Sequence, residues 1–572
     1  LYNLQDILLF AVMSKNKLSP SRLLLVATLA SALGACGGGE QTTVNGGAST
    51  GSGTDSGGSG GGTGTTSPPA GPGTDVATFK NDLGRTGQNL TESVLTPTNV
   101  NSTTFGLLHN LSVDGKVDAQ PLYLSQLTAG NPAAVHNVVF VATEGDSVYA
   151  FDADTGNPVW QVNLLGSGEV LSDPHGCDQV TPSIGITSTP VIDRTAGALY
   201  VVAMSKDKSS AYHQRLHALN LATGAELFGG PVEITATYPA TAGGASSTFQ
   251  PGQYEERAAL LLSKGVVYTS WTSHCDITPY GGWIIGYNQS TLAQTAVLNI
   301  APNSNAGPAI WMAGDGPGAD SAGNIYLLAA NGVFETSLDA SGFPSQRDFG
   351  NSFLKLSPSP TLAVADYFAM SNEVDESNSD LDLGSGGEML LPDLTDANNT
   401  VRHLVVGAGK DGTLYVVDRD SMGKFNANSN NIWQQLPGAL PGGVFSSPAY
   451  FNGAVYYADI GGALKAFPVT NARLGNASSA QSTSSFPYPG ASPAVSANGT
   501  SSGIIWAHEN SGTAVLHAYD ATNLTHELYN SNQAASNRDH FGAGNKFITP
   551  TIADGKVFVG TQNSVAVFGL LH

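Results

Sequence analysis

A short strand of β-branched and aromatic residues recurs eight times along this chain, and few folds can absorb such a period. It reads NVVFVAT (137–143), GALYVVA (197–203), GVVYTSW (265–271), GNIYLLA (323–329), HLVVGAG (403–409), GAVYYAD (453–459), GIIWAHE (503–509) and GKVFVGT (555–561). Its central residues, from Phe140 to Phe558, are spaced by 60, 68, 58, 80, 50, 50 and 52 positions. The runs are too short for helices and start after Gly or polar turn residues. A second strand follows each one, from VYAFD at 148 to VAVFG at 565. A third element precedes each pair: QPLY (120–123), TPVI (189–192), RAALLL (257–262), GPAIW (307–311), GEMLL (387–391), SPAY (447–450), SPAV (492–495) and TPTI (549–552). Three separate tallies give eight.

Small sheets repeated at this spacing predict an all-β, eight-bladed β-propeller with four-stranded antiparallel blades over residues 75–572. After VAVFG only Leu570, Leu571 and His572 remain, which leaves the last blade without an outer strand. An open apolar edge there would be prone to aggregation. FGLLHNLSV (105–113) has no blade of its own, so this N-terminal strand is expected to close the last blade.

Only 12% of residues are charged, and the net charge is −22. An acidic body repels phosphate backbones, which excludes nucleic acid as a partner. Residues 1–36 read as an over-extended start followed by a secretory signal. Lys15, Lys17 and Arg22 precede an apolar run from Leu23 to Leu33, and Leu33-Gly34-Ala35-Cys36 resembles the bacterial lipobox, which makes Cys36 the expected lipidation site. Gly37 in place of Asp implies an outer-membrane lipoprotein in a host with two membranes, facing the periplasm or the cell surface. Residues 37–74 are rich in Gly, Ser and Thr and are expected to form a disordered tether with a reach of roughly 35 Å.

Ala150-Phe151-Asp152-Ala153-Asp154-Thr155-Gly156, followed by Trp160, resembles the repeat of the PQQ-like β-propeller superfamily. Weaker copies are LHALNLATG (216–224), LYVVDRDSMG (414–423) and LHAYDATNL (516–524), and the opening Phe79-Lys80-Asn81-Asp82 with Arg85-Thr86-Gly87 is similar to the start of many members. That superfamily includes quinoprotein alcohol dehydrogenases and the outer-membrane assembly scaffold BamB. The resemblance implies the fold over Phe79–Leu570 and leaves function open between enzyme and scaffold. Its alcohol-oxidising members bind PQQ and Ca²⁺ in the central channel and carry an adjacent Cys-Cys pair. Here Cys177 and Cys275 lie 98 residues apart, and no CxxCH haem motif is present.

Candidate sites follow from residue type and spacing. Cys177 and Cys275 are the only cysteines beyond Cys36, and in an exported chain they are expected to form a disulfide. His175 and His274 beside them keep a Cys₂His₂ zinc set as a rival, with free thiols the third reading. Glu373, Asp375, Asp380 and Asp382 precede Gly384-Ser385-Gly386-Gly387 and could wrap Ca²⁺ or form a solvated loop. Asp315, close to Trp311, is the one nominee for a general base, with Trp311 the nominee for a cofactor platform. Gly314-Asp315-Gly316 also reads as a plain turn, as does Lys410-Asp411-Gly412. The leading expectation is a monomeric, non-catalytic interaction or ligand-binding propeller of the cell envelope. It is held to the membrane by its N-terminal lipid, and an envelope protein, small molecule or glycan is its partner. A PQQ- and calcium-dependent dehydrogenase is the enzyme alternative, and a BamB-like scaffold the third.

Overall fold

The computed structural model describes residues 75–571. The signal segment, Cys36 and the tether lie outside them. Eight antiparallel sheets of four principal strands each follow one another along the chain. Blade 1 runs outward from the axis as Leu122–Ala129, Ala134–Ala142, Ser147–Asp152 and Pro158–Asn163. The middle strands of each blade are sandwiched between neighbouring sheets, so both of their faces are buried. Leu404–Ala408 in blade 5, for example, is buried at every position. That explains the near-continuous apolar runs in sequence where a solvent-facing sheet would alternate.

Blade 8 consists of Thr551–Ala553, Lys556–Gly560 and Ser564–Leu570, with Phe105–Ser112 as its outer strand. The last pairing is antiparallel, from Phe105 against Leu570 to Ser112 against Ser564. The N-terminal strand therefore closes the ring as the unpaired edge required.

The recurring Asp/Asn-x-x-Thr-Gly turn joins the third and outer strands. Asp152 Oδ1 accepts from the backbone of Asp154 (3.0 Å) and Thr155 (2.8 Å) and from the Thr155 hydroxyl (2.9 Å). Asn220 accepts likewise from Ala222 N and the Thr223 hydroxyl in blade 2, and Asn288 from Ser290 N and the Thr291 hydroxyl in blade 3, where Leu292 replaces the glycine. Trp160 Nε1 donates to Leu221 O at 2.9 Å, which ties blade 1 to blade 2. Gly224 must be glycine there: its φ is +72°, and a Cβ would come 2.7 Å from the Trp160 ring.

Blade 4 departs from expectation. Its innermost strand is Gly318–Ala319, and residues 307–311 precede it as irregular chain ending in the turn Met312–Gly314. Ile310 N donates to Trp271 O and Ala330 N to Ala309 O, so this Pro-containing segment is spent on contacts between blades 3 and 4.

The segment from Val76 to Asn89 runs past all eight blades, and its contacts follow blade order except at blade 3. Val76 pairs with Tyr123 of blade 1, and Ile192 of blade 2 donates to Ala77 O. Arg85 reaches Leu260 O, just ahead of the blade 3 inner strand. Ala319, Leu390, Tyr450 and Val495, on blades 4 to 7, donate to the carbonyls of Leu83, Gly84, Thr86 and Gly87. Asn89 Nδ2 completes the circuit at Ile552 O of blade 8 (2.9 Å). This strap bars one end of the axis.

Candidate functional site: the mouth of the axis

Two fully buried cations anchor the strap. Lys80 Nζ donates to the carbonyls of Ser447 (3.2 Å), Pro448 (2.5 Å) and Pro493 (2.8 Å). Arg85 donates to Gly316 O, Pro317 O, Leu260 O, Phe79 O and the Thr78 hydroxyl. Burial pushes the Lys80 ammonium down to about 7, against the pull of Asp315 and Asp82. Asp315 is pushed up to about 7 by burial, opposed by Arg85 and Lys80. Glu388, buried beside Asp315, is also raised.

The opposite end is a shallow mouth built from the loops that lead into the inner strands. Arg257, Trp311, Phe445, Tyr488, Lys546 and Phe547 line it, together with Asp382 and Lys410. Each of three cations faces one ring. Arg257 lies 4.7 Å from the Phe547 centroid, Lys546 5.8 Å from Tyr488, and Lys410 5.9 Å from Phe445. Phe445 and Tyr488 meet edge to face at 5.5 Å. Arg257 is buried, with Nε and Nη2 lacking hydrogen-bond partners, although Nε lies 3.3 Å from Glu255. Burial lowers the Lys546 ammonium, and Arg257 nearby lowers it further. The hollow measures about 90 Å³, and a neighbouring one of about 240 Å³ shares Gln179, Tyr488 and Lys546 with it. Cations held against rings in a partly dry site favour a planar anion.

The nominated residues fall in different places. Trp311 is half-buried and lines the mouth, whereas Asp315 is fully buried, with Oδ1 on Gly316 N and Oδ2 without a hydrogen-bond partner. The four acidic residues do not converge. Glu373 and Asp375 sit on the short helix Glu373–Asn378, and Glu373 accepts from the Ser377 hydroxyl at 2.7 Å. Asp380 and Asp382 pair with Lys410, so a side-chain cation already takes their charge. Among the described residues no group of three His, Cys, Asp or Glu could hold a metal ion. Cys177 and Cys275 are joined as a disulfide, which leaves no thiolate for zinc, and the rings of His175 and His274 stack at 4.1 Å. The bridge ties loops of blades 2 and 3 beside the mouth, where Gln179 and Asp276 contribute to the wall.

Most of the mouth goes unmarked in a residue-by-residue reading of sequence. One usable signal exists: Phe445-Ser-Ser-Pro and Phe547-Ile-Thr-Pro place an aromatic at the same offset before two inner strands.

The family model for the outer membrane protein assembly factor BamB matches residues 84–228, from the strap into blade 2. The quinohemoprotein alcohol dehydrogenase of Comamonas testosteroni superposes with a TM-score of 0.55 at 16% identity, over 87% of this chain and 81% of its own. A europium-containing methanol dehydrogenase gives 0.56 at 13% identity, over 87% and 98%. Among curated proteins nothing matches. At these identities the likeness to solved structures is one of fold. The chain shares the β-propeller fold of these proteins, and its likeness to the BamB family model is confined to residues 84–228.

The mouth only half suits PQQ, the quinone that the sequence resemblance implies. The rings and cations match a planar polycarboxylate. A hollow of about 90 Å³ falls short of the roughly 300 Å³ at which pockets for drug-sized ligands begin. The nearby carboxylates form no calcium set among the described residues.

Proposed function

We propose that this propeller is a non-catalytic binding module of the cell envelope that holds a small planar organic anion in its axial mouth. The observation that carries this reading is the convergence of three cations on three rings at one end of the axis. The rings supply flat apolar contact, and the cations supply charge that half-buried walls leave under-solvated. Asp315 has no exposed surface, the Asp382 carboxylate is held by Lys410, and the exposed Asp276 accepts from the Ser273 hydroxyl. Acylation of Cys36 and outer-membrane placement belong to the same proposal. Replacing Cys36 with Ser is expected to move the protein from the membrane to the soluble fraction.

Thermal unfolding with benzoate, naphthalene-2,6-dicarboxylate and PQQ, each with and without calcium, tests the reading alongside dye-linked alcohol oxidation. Stabilisation by the aromatic carboxylates without calcium, lost in Lys546→Gln, is the expected result, with oxidation at background. Calcium-dependent binding of PQQ with alcohol turnover would establish the dehydrogenase instead. No stabilisation by any probe would remove the binding site.

A further inference from the structure

A larger cleft of about 630 Å³ opens on the strap side of the propeller, between blades 4 and 5. Its walls are the hairpin Asp320–Asn324, the segment Leu390–Asp393, the strap around Asp82, and Arg419 with Lys355. Nothing in the mouth reaches it.

Arg419 follows the third strand of blade 5 and is only 7% exposed. Its guanidinium lies 5.5 Å from the Tyr326 ring centroid, and the Tyr326 hydroxyl donates to Asp320. Its Nε has no hydrogen-bond partner. Lys355 Nζ donates to Arg419 O at 2.8 Å and lies 5.8 Å from the same ring. Two cations thus flank one tyrosine, and among the described residues neither forms an ion pair with a carboxylate. Burying a guanidinium in this state is costly unless an anion completes it. Lys80 and Arg85, buried still more completely, have carbonyls to occupy them; Arg419 Nε has none.

The rim carries the opposite sign. The Asp393 and Asp420 side chains are 71% and 63% exposed, and both lie near His403. Carboxylates there repel a multiply charged anion and accept hydrogen bonds from hydroxyls. Leu391 and Pro392 add a small apolar wall. We propose that this cleft binds a hydroxylated organic monocarboxylate of the sugar-acid class. Its carboxylate meets Arg419 and Lys355, and its hydroxyls donate to the rim aspartates. The volume admits a sugar acid alone or as one unit of a short acidic oligosaccharide.

Isothermal titration of the full chain with D-glucuronate, D-glucuronamide and D-glucose tests this. Glucuronate is expected to bind, and the two neutral sugars at least tenfold more weakly. Arg419→Gln should weaken glucuronate at least tenfold, in keeping with a charge-assisted hydrogen bond. Because Arg419 is buried, Ala322→Trp provides a second variant. Ala322 is exposed at the cleft edge, so a large ring there blocks entry without disturbing the core. Loss of binding in Ala322→Trp supports the site even where Arg419→Gln fails to fold. No binding of glucuronate, equal binding of the neutral sugars, or full binding by Ala322→Trp overturns it.

Discussion

The two ends of the axis use the same residue types for opposite purposes. At the strap end, Lys80 and Arg85 are fully buried and their side chains make eight hydrogen bonds to protein oxygens. At the mouth, Arg257, Lys410 and Lys546 sit over aromatic rings. Arg257 there keeps two nitrogens without hydrogen-bond partners. A buried cation saturated by carbonyls is a fastening, and removing it leaves orphaned acceptors and uncompensated acids. Lys410 is already paired with Asp380 and Asp382, whereas Arg257 and Lys546, over rings beside open space, retain capacity for a ligand. Charge alone therefore does not distinguish a site from a clasp; what the donors already hold does.

The largest expected effect is at the clasp. Arg85→Met is expected to destabilise the propeller by about 3–5 kcal/mol, because Asp315 and Glu388 lose their buried counter-charge. Lys546→Gln at the mouth should shift stability by less than about 0.5 kcal/mol. Equilibrium unfolding in denaturant measures both, and equal effects would erase the distinction between the two ends. Next in size is the bridge beside the mouth. The double variant Cys177→Ser/Cys275→Ser, which opens a loop of 98 residues, is expected to cost about 2–4 kcal/mol. It should also weaken the mouth's affinity while leaving the strap's amide protection unchanged.

Smaller again is Gly224→Ala. It forces a side chain into left-handed backbone against Trp160, with an expected loss of about 2 kcal/mol in thermal or denaturant unfolding. The subtlest effect is the pH profile. Burial raises Asp315, Glu373 and Glu376 to about 7. Unfolded carboxyls titrate near 4, so the stability these groups confer is complete below that pH and is lost as pH rises through 7. The melting temperature should therefore fall between pH 5 and pH 8. Lys80 acts in the other direction: its pKa is lowered to about 7, so its penalty shrinks as the pH climbs above that value. A melting temperature that rises from pH 5 to 8 would contradict these assignments.

The ring was legible in sequence because each blade repeats one pattern, and the pattern is long enough to count. Closure was legible for a related reason: the last repeat lacks an edge partner and Phe105–Ser112 lacks a sheet. The inner strand of blade 4 misled because Gly307-Pro308-Ala309-Ile310 imitates the Pro-led segments, while the true strand, Gly318–Ala319, has only two residues. The acidic run at 373–382 looked like a cation site because its neutraliser, Lys410, lies about thirty residues downstream in another turn. Trp311, nominated as a cofactor platform because tryptophan is conspicuous, lines the mouth. Arg257 and Lys546 were not nominated, since each contributes one side chain from a different loop and only the ring brings them together.

Hydrogen exchange followed by mass spectrometry, with and without naphthalene-2,6-dicarboxylate, tests the contrast between the two ends most directly. Amides of the strap, residues 76–89, are expected to exchange among the slowest whether or not ligand is present. Segments carrying Arg257, Trp311, Tyr488 and Phe547 should exchange faster in the free protein and slow on addition of ligand. Rapid exchange of the strap, or mouth segments indifferent to the ligand, would contradict that contrast.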